Sequence, residues 1–218
     1  HLFVSPEDYF LFIRSGMDFA SREVFIEPER MKEERRLEHV FQSVSSRLSS
    51  KKLGTELDLI TVNNYRHWKN IFYGYEFFDA SPVILEQRKK KDLGEVERIR
   101  AACEVIDAGH RAVKETLRPG LTELELSAAV ENAHRLAGHE GICFMRVPDF
   151  FMSRGPMGSG ENLFRFSDVV YSVTGVGLSA AVPAGPSKKR IEYGECVIVD
   201  MPTLVGGYHA DQTRTYCL

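Results

Sequence analysis

Cysteine is scarce in this sequence: Cys103, Cys143, Cys196 and Cys217 are scattered over 218 positions, with no C-x-x-C among them. That spacing excludes a zinc knuckle and a disulfide framework and predicts the reduced thiols of a cytoplasmic protein. No apolar run approaches the roughly 18 residues that suggest a membrane span. The opening His1-Leu2-Phe3-Val4-Ser5-Pro6 lacks the basic-then-apolar layout of a secretory signal. Neither sign of charge dominates: 28 Lys and Arg stand against 31 Asp and Glu, net −3. Composition therefore gives no footing for a nucleic-acid or membrane-surface partner. With 43% hydrophobic and 27% charged residues, the chain is ordinary globular material and neither disordered nor fibrous. Its length fits one large or two modest domains. It begins in one strand-like run and stops at Thr215-Tyr216-Cys217-Leu218 in another, which reads as a piece of a longer protein.

Residues 1–87 alternate short strand and helix patterns, the mark of a small α/β domain. Leu2-Phe3-Val4 and Tyr9-Phe10-Leu11-Phe12-Ile13 flank the turn sequence Ser5-Pro6-Glu7-Asp8, which predicts a hairpin. The apolar spacing from Glu27 to Ser50 predicts a helix, Leu57–Val62 a strand, and Asn63–Phe72 a short helix. The basic run from Gln87 to Lys91 is too short and too poor in aromatics for a nucleic-acid patch. It reads as a solvated linker and sets the boundary between domains 1–87 and 88–218. Beyond it, apolar residues from Leu93 to Leu117, with His110 among them, recur at threes and fours as in a long amphipathic helix. Arg118-Pro119-Gly120 ends it. Thr122 and Glu125 form a capping box for a second helix with an expected stripe of Leu124, Ala128, Ala129, Ala133 and Leu136. Asp149–Gly177 has no clear period, and its Gly155–Gly160 run lacks the Lys-Ser/Thr of a phosphate loop, so it reads as an irregular loop. His134 and His139, taken as five apart on one helix, should not share a metal.

The chemistry lies in the last residues. Cys196–Met201 has the pattern of a buried strand, Gly206-Gly207 is a turn signal, and Tyr208–Tyr216 alternates as a returning strand. Pairing Val205 with Tyr208 puts Asp200 opposite Thr213 and Asp211 opposite Pro202. Period two then aims Asp200, Asp211 and Thr213 to one face, with the two carboxylates diagonal neighbours at about 7 Å. One divalent ion, or two, fits between them. The alternative is structural: Asp200 ends a strand and Asp211 pairs with Arg214 or a lysine. His209 falls on the opposite parity and reads as surface or core packing.

Four segments carry a resemblance. They are Glu95–Ala102, Arg118-Pro119-Gly120-Leu121-Thr122-Glu123, Gly194–Asp200, and Gly207-Tyr208-His209-Ala210-Asp211-Gln212-Thr213-Arg214-Thr215. In this order they resemble the pita-bread metallopeptidases, in the Xaa-Pro aminopeptidase, Xaa-Pro dipeptidase and creatinase branch. The resemblance implies an α+β fold: the N-terminal half of a pita-bread catalytic domain over 88–218, preceded over 1–87 by a partial α/β creatinase-type N-terminal domain. It implies Asp200 and Asp211 as metal ligands, Thr213 steadying a carboxylate, and two divalent ions (Mn, Co, Zn or Fe) in the intact protein. It implies a cytoplasmic, homodimeric hydrolase in which a hydroxide bridging the metal pair attacks the amide of a small peptide. Two departures stand out. The His and two Glu that complete the family's metal site are absent, so no catalytic set lies within this chain and the chain alone is expected to be inactive. Ala184 also replaces the family's active-site His, which leaves a non-catalytic binding protein or a creatinase-like amidinohydrolase as alternatives.

Overall fold

The computed structural model describes residues 1–147, 150–165 and 172–218. The chain divides into two units, His1–Lys89 and Lys90–Leu218. In the first, the expected hairpin is present: β1 (Leu2–Val4) and β2 (Tyr9–Ile13) pair antiparallel, with Ser5 N–H donating to the Asp8 carbonyl at 2.7 Å. Helix α1 (Met17–Glu23) follows. The single helix expected over Glu27–Ser50 is broken up. Pro28–Arg30 is a 3-10 turn, Met31–Glu33 is β3 running parallel to β2, and α2 covers only Leu37–Val44. Pairing Met31 with Leu11 buries the Met31 side chain in the sheet, and that tertiary gain overrides a weak helical period.

Leu57–Val62 is likewise not a strand; β4 is Lys52–Thr55, five residues earlier. Leu57 N–H donates to Asp79 Oδ1 at 3.3 Å and Asp58 N–H to Ser81 Oγ at 3.4 Å, so side chains rather than a ladder take up this backbone. Thr61 then caps α3 (Val62–Ile71) by accepting from Asn64 N–H at 3.2 Å. β5 (Glu76–Asp79) runs parallel to β4, and α4 (Ser81–Lys89) takes in the first half of the basic run read as a linker. Phe10, Phe12, Val40 and Val44 form this unit's core.

The second unit opens with α5 (Leu93–Thr116), capped by reciprocal bonds of 2.8 Å between Asp92 and Glu95. Gly120, at φ +83°, turns the chain into α6 (Glu123–Leu136), whose Thr122–Glu125 capping box is the expected one. The buried face of α6 differs from the expected stripe: Leu136 is 81% exposed, and Glu123, Leu126, Ser127, Val130 and His134 point inward. An apolar count misses this face because three of its five members are polar. Strands β6 (Cys143–Phe144) and β7 (Phe151–Met152) pair antiparallel. β8 (Met157–Ser159) lies within the stretch read as an irregular loop, yet it pairs with β9 (Cys196–Asp200). Residues 148–149 and 166–171 of that stretch lie outside the described residues. β10 (Thr203–Val205) pairs with β11 (Tyr208–Ala210), and β12 (Thr213–Cys217) returns along β9 in a three-stranded sheet of order β12-β9-β8.

The core joins α5 and α6 to this sheet through Ala102, Ile106, Leu126, Val130, Val197 and Val199, all at most 4% exposed. Burying each of the larger apolar side chains contributes roughly 1.5–3 kcal/mol. Thr203 Oγ1 donates to the Ala102 carbonyl at 2.8 Å and ties β10 to α5. Among the described residues, no helix is long and apolar enough to cross a membrane.

Candidate metal centre and adjoining cleft

Gly206 and Gly207, at φ +56° and +78°, make the two-residue turn that sets the register. Val205 pairs with Tyr208, and further along the ribbon Asp200 pairs with Thr213. This is the register expected from the sequence. Between the two ladders Met201 N–H still donates to the Gln212 carbonyl at 3.0 Å, so Asp211 sits opposite Pro202 in a short gap without strand pairing. The Thr213 hydroxyl donates to Asp200 Oδ1. Asp211 keeps a solvent-facing rim, but the protein around it desolvates its carboxyl and, with the nearby charge of Asp200, raises its pKa above the ordinary carboxylate value. Among the described residues no Lys or Arg forms an ion pair with either aspartate. Arg214, the partner considered for Asp211, instead donates to the Thr213 carbonyl at 2.9 Å.

The neighbours of the pair are set by burial. The Cys143 thiol is pushed up to about 11 by desolvation, with Asp211 adding to the shift, so it stays protonated. His209 is exposed on β11; its Nε2 accepts from Phe144 N–H at 3.3 Å and its ring stands edge-on to Phe144.

Sequence reasoning passed over two supporting groups. His110, placed in the apolar stripe of α5, bonds through Nδ1 to Tyr216 Oη and through Nε2 to Gln212 Oε1, so α5 braces both ends of the segment after Asp211. Glu123 is fully buried, and its two oxygens receive five donors from three segments. Oε1 accepts from Ser159 N–H at 2.7 Å and Ser159 Oγ at 2.8 Å, and Oε2 accepts from Ser187 N–H at 2.9 Å and Ser187 Oγ at 2.6 Å. The Asn162 amide bonds both oxygens at 3.1 and 3.2 Å. This carboxylate fixes β8 and the chain after Ala184. His110 interrupts an otherwise apolar stripe, which hints at a polar partner, whereas Glu123 lies off the stripe expected for α6 and only its distant partners reveal it.

Two cavities share Arg154 and Gly155 in their walls, and the smaller reaches Asp200. The smaller, of about 90 Å³, is lined by Asp200, Ser127, Glu131, His134, His139 and Arg154. His134 and His139 do not lie on one helix. α6 stops at Leu136, Gly138 turns the chain at φ +107°, and the two rings come to 6.3 Å between centroids. Burial, with His139 and His110 adding, lowers the His134 pKa to about 4; burial also lowers that of His139. His139 Nδ1 lies 2.9 Å from Leu204 N and 3.4 Å from the Leu204 carbonyl oxygen, which ties the ring to the backbone of β10. The second cavity, of about 450 Å³, is lined by Phe150, Phe151, Met152, Arg154, Pro183 and Ala184. Ala184, where the resemblance leads one to expect a His, lines a cleft of ligand size.

The model for metallopeptidase family M24 matches residues 97–218, and the creatinase/prolidase N-terminal domain matches residues 1–90. The chain belongs to metallopeptidase family M24. Curated relatives include the Xaa-Pro dipeptidase of Pyrococcus furiosus, 30% identical over 166 residues, or 75% of this chain and 39% of that protein. The probable dipeptidase PepE of Mycobacterium bovis is 30% identical over 140 residues, 64% of this chain and 30% of that protein. The matched stretch thus spans well under half the length of these relatives. Among solved structures, the prolidase from Pyrococcus furiosus aligns at TM-score 0.75 and 22% identity, covering 99% of this chain and 58% of that one. The X-Pro aminopeptidase from Thermotoga maritima aligns at 0.73 and 22% identity, covering 99% and 54%. The M24 fold implied by the motifs is therefore present: a creatinase-type N-terminal domain followed by part of a pita-bread domain.

Asp200 and Asp211 supply hard oxygen atoms, the ligands that divalent cations favour. Burial, and after it the nearby charge of Asp200, raises the Asp211 pKa, a cost that a bound cation would relieve. The two carboxylates fit, but among the described residues no third His, Cys, Asp or Glu joins them in a ligand cluster.

Proposed function

We propose that Asp200 and Asp211 are metal ligands of a hydrolase acting on Xaa-Pro dipeptides or related short peptides. The observation that carries this reading is the pair itself: Asp200 at the end of β9 and Asp211 just ahead of β12, its carboxyl held above the ordinary value by burial and by the nearby charge of Asp200, without a basic partner among the described residues. Bound there, divalent cations would polarise the scissile carbonyl and make a water acidic enough to attack near neutral pH. The Thr213 hydroxyl occupies one lone pair of Asp200 and holds that carboxylate's orientation. His110 steadies Gln212, and with it the backbone after Asp211. Ala184 offers neither a proton nor a hydrogen bond, so proton transfer and stabilisation of the developing oxyanion fall to other groups.

For the 218-residue chain by itself we propose weak metal binding and no turnover, because two carboxylates are too few ligands for a cation pair. The cytoplasm is the proposed compartment, in keeping with four free thiols, and a homodimer is proposed on the family resemblance. Ala184 favours a second reading, a pita-bread protein that binds in its cleft without hydrolysis.

Elemental analysis of the full-length protein, with assays on Xaa-Pro dipeptides under added Mn²⁺ and Co²⁺, separates the two. Stoichiometric metal with turnover is expected. Absence of both overturns the hydrolase reading and supports the binding protein.

A further inference from the structure

We propose that Arg154 is the specificity-determining anchor of the 450 Å³ cleft and takes the free C-terminal carboxylate of a short peptide whose apolar side chains fill the remainder. This deepens the hydrolase reading and rests on it for the identity of the substrate. Arg154 belongs to the short segment between β7 and β8 and lines both cavities, the smaller of which also takes in Asp200. Around it the larger cleft is apolar: Phe150, Phe151, Met152, Val182, Pro183 and Ala184. Its Nε is buried without an acceptor, and no acidic side chain pairs with the guanidinium among the described residues. Glu131 and Asp200, the acids that share the smaller cavity with it, form no ion pair with it.

The backbone makes room for the guanidinium. At Gly185, with φ +96°, an added Cβ would lie 3.1 Å from Arg154 Nε and 3.2 Å from Nη2, so the turn after Ala184 packs directly on the cation. A partly buried guanidinium whose buried Nε has no acceptor carries a desolvation cost in the free protein. A carboxylate is the small group whose two oxygens match its planar fork. The next residue, Gly155, packs against the Asp200 backbone, so the anchor and the acid pair stand on one wall. A peptide whose free carboxylate lies one residue beyond its scissile amide can engage both. Where the family's histidine is replaced by Ala184, this arginine from another segment supplies the charged recognition group.

The test is calorimetric binding of leucyl-proline and leucyl-prolinamide to the full-length protein in EDTA, compared with Arg154→Gln and Arg154→Lys. The acid should bind roughly 10- to 100-fold more tightly than the amide, the range of a charge-assisted hydrogen-bonded pair. That preference should collapse to near unity in Arg154→Gln and survive in part in Arg154→Lys. No preference in the wild type, no binding of either probe, or an unchanged preference in folded Arg154→Gln overturns the proposal. Should Arg154→Gln fail to fold, the wild-type ratio and Arg154→Lys still decide it. A parallel Mn²⁺ titration separates the two readings. Manganese bound without acid preference removes the anchor alone; acid preference without manganese removes the hydrolase reading and leaves Arg154 as a carboxylate site.

Discussion

Ser187 Oγ lies 2.6 Å from Glu123 Oε2, joining the start of α6 to a chain segment 64 residues later. With Ser159 and Asn162 on the other side, the bond closes a buried network around one carboxylate. Glu123→Ala would strand these donors without an acceptor and should cost about 3–5 kcal/mol, the range for breaking a buried charged network. Glu123→Gln, which keeps one acceptor oxygen, should cost less. Urea denaturation midpoints at constant m-value measure both.

His134 should make the chain acid-sensitive. Its folded pKa of about 4 lies below the ordinary value of 6.5, so the unfolded chain takes up a proton that the fold refuses. Stability is then fully present above pH 6.5 and falls as pH drops toward 4, by on the order of 3 kcal/mol. His139, shifted in the same direction, adds to the loss. Thermal melts from pH 7.5 to 4.5 should show the decline, and His134→Leu should flatten it.

Asp211 acts in the opposite sense. Its raised pKa means that the folded chain holds its proton longer, so ionisation removes stability as pH rises from the ordinary carboxylate value through the folded one. In EDTA at pH 7, Asp211→Asn should therefore be slightly more stable than wild type, by at most about 1 kcal/mol for so accessible a group. In millimolar Mn²⁺ the order should reverse, because only the wild type gains from the metal. Differential scanning calorimetry under the two conditions reads the crossover.

Gly155→Ala should be disruptive despite its small size. The added Cβ would fall 2.2 Å from the Asp200 carbonyl oxygen, a backbone atom that cannot swing aside. Overpacking of this kind costs typically 1–3 kcal/mol. A lowered melting temperature together with weaker manganese binding is the expected pair of effects.

The sequence displayed the Asp200–Thr213 register because Gly206-Gly207 and an alternating strand leave a single pairing that buries the apolar face. Helices α5 and α6 were legible from their caps, where local side-chain bonds decide the outcome. The first unit was harder to read. Met31 belongs to a parallel pairing with Leu11 that no local pattern announces, and β4 had to be recognised by its distant partner β5. Of the candidate site, the aspartates carried a spacing signal. Glu123, His110 and Arg154 did not, since their partners lie 36 to 106 residues away or, for Arg154, are absent among the described residues.

Asp200 N–H donates to the Pro156 carbonyl at 3.0 Å, and no gap separates Gly155 from the Asp200 oxygen. The two residues that follow Arg154 are thereby seated on the strand that carries Asp200, with no side chain interposed. A substitution that widens this seam loosens the support of both residues at once.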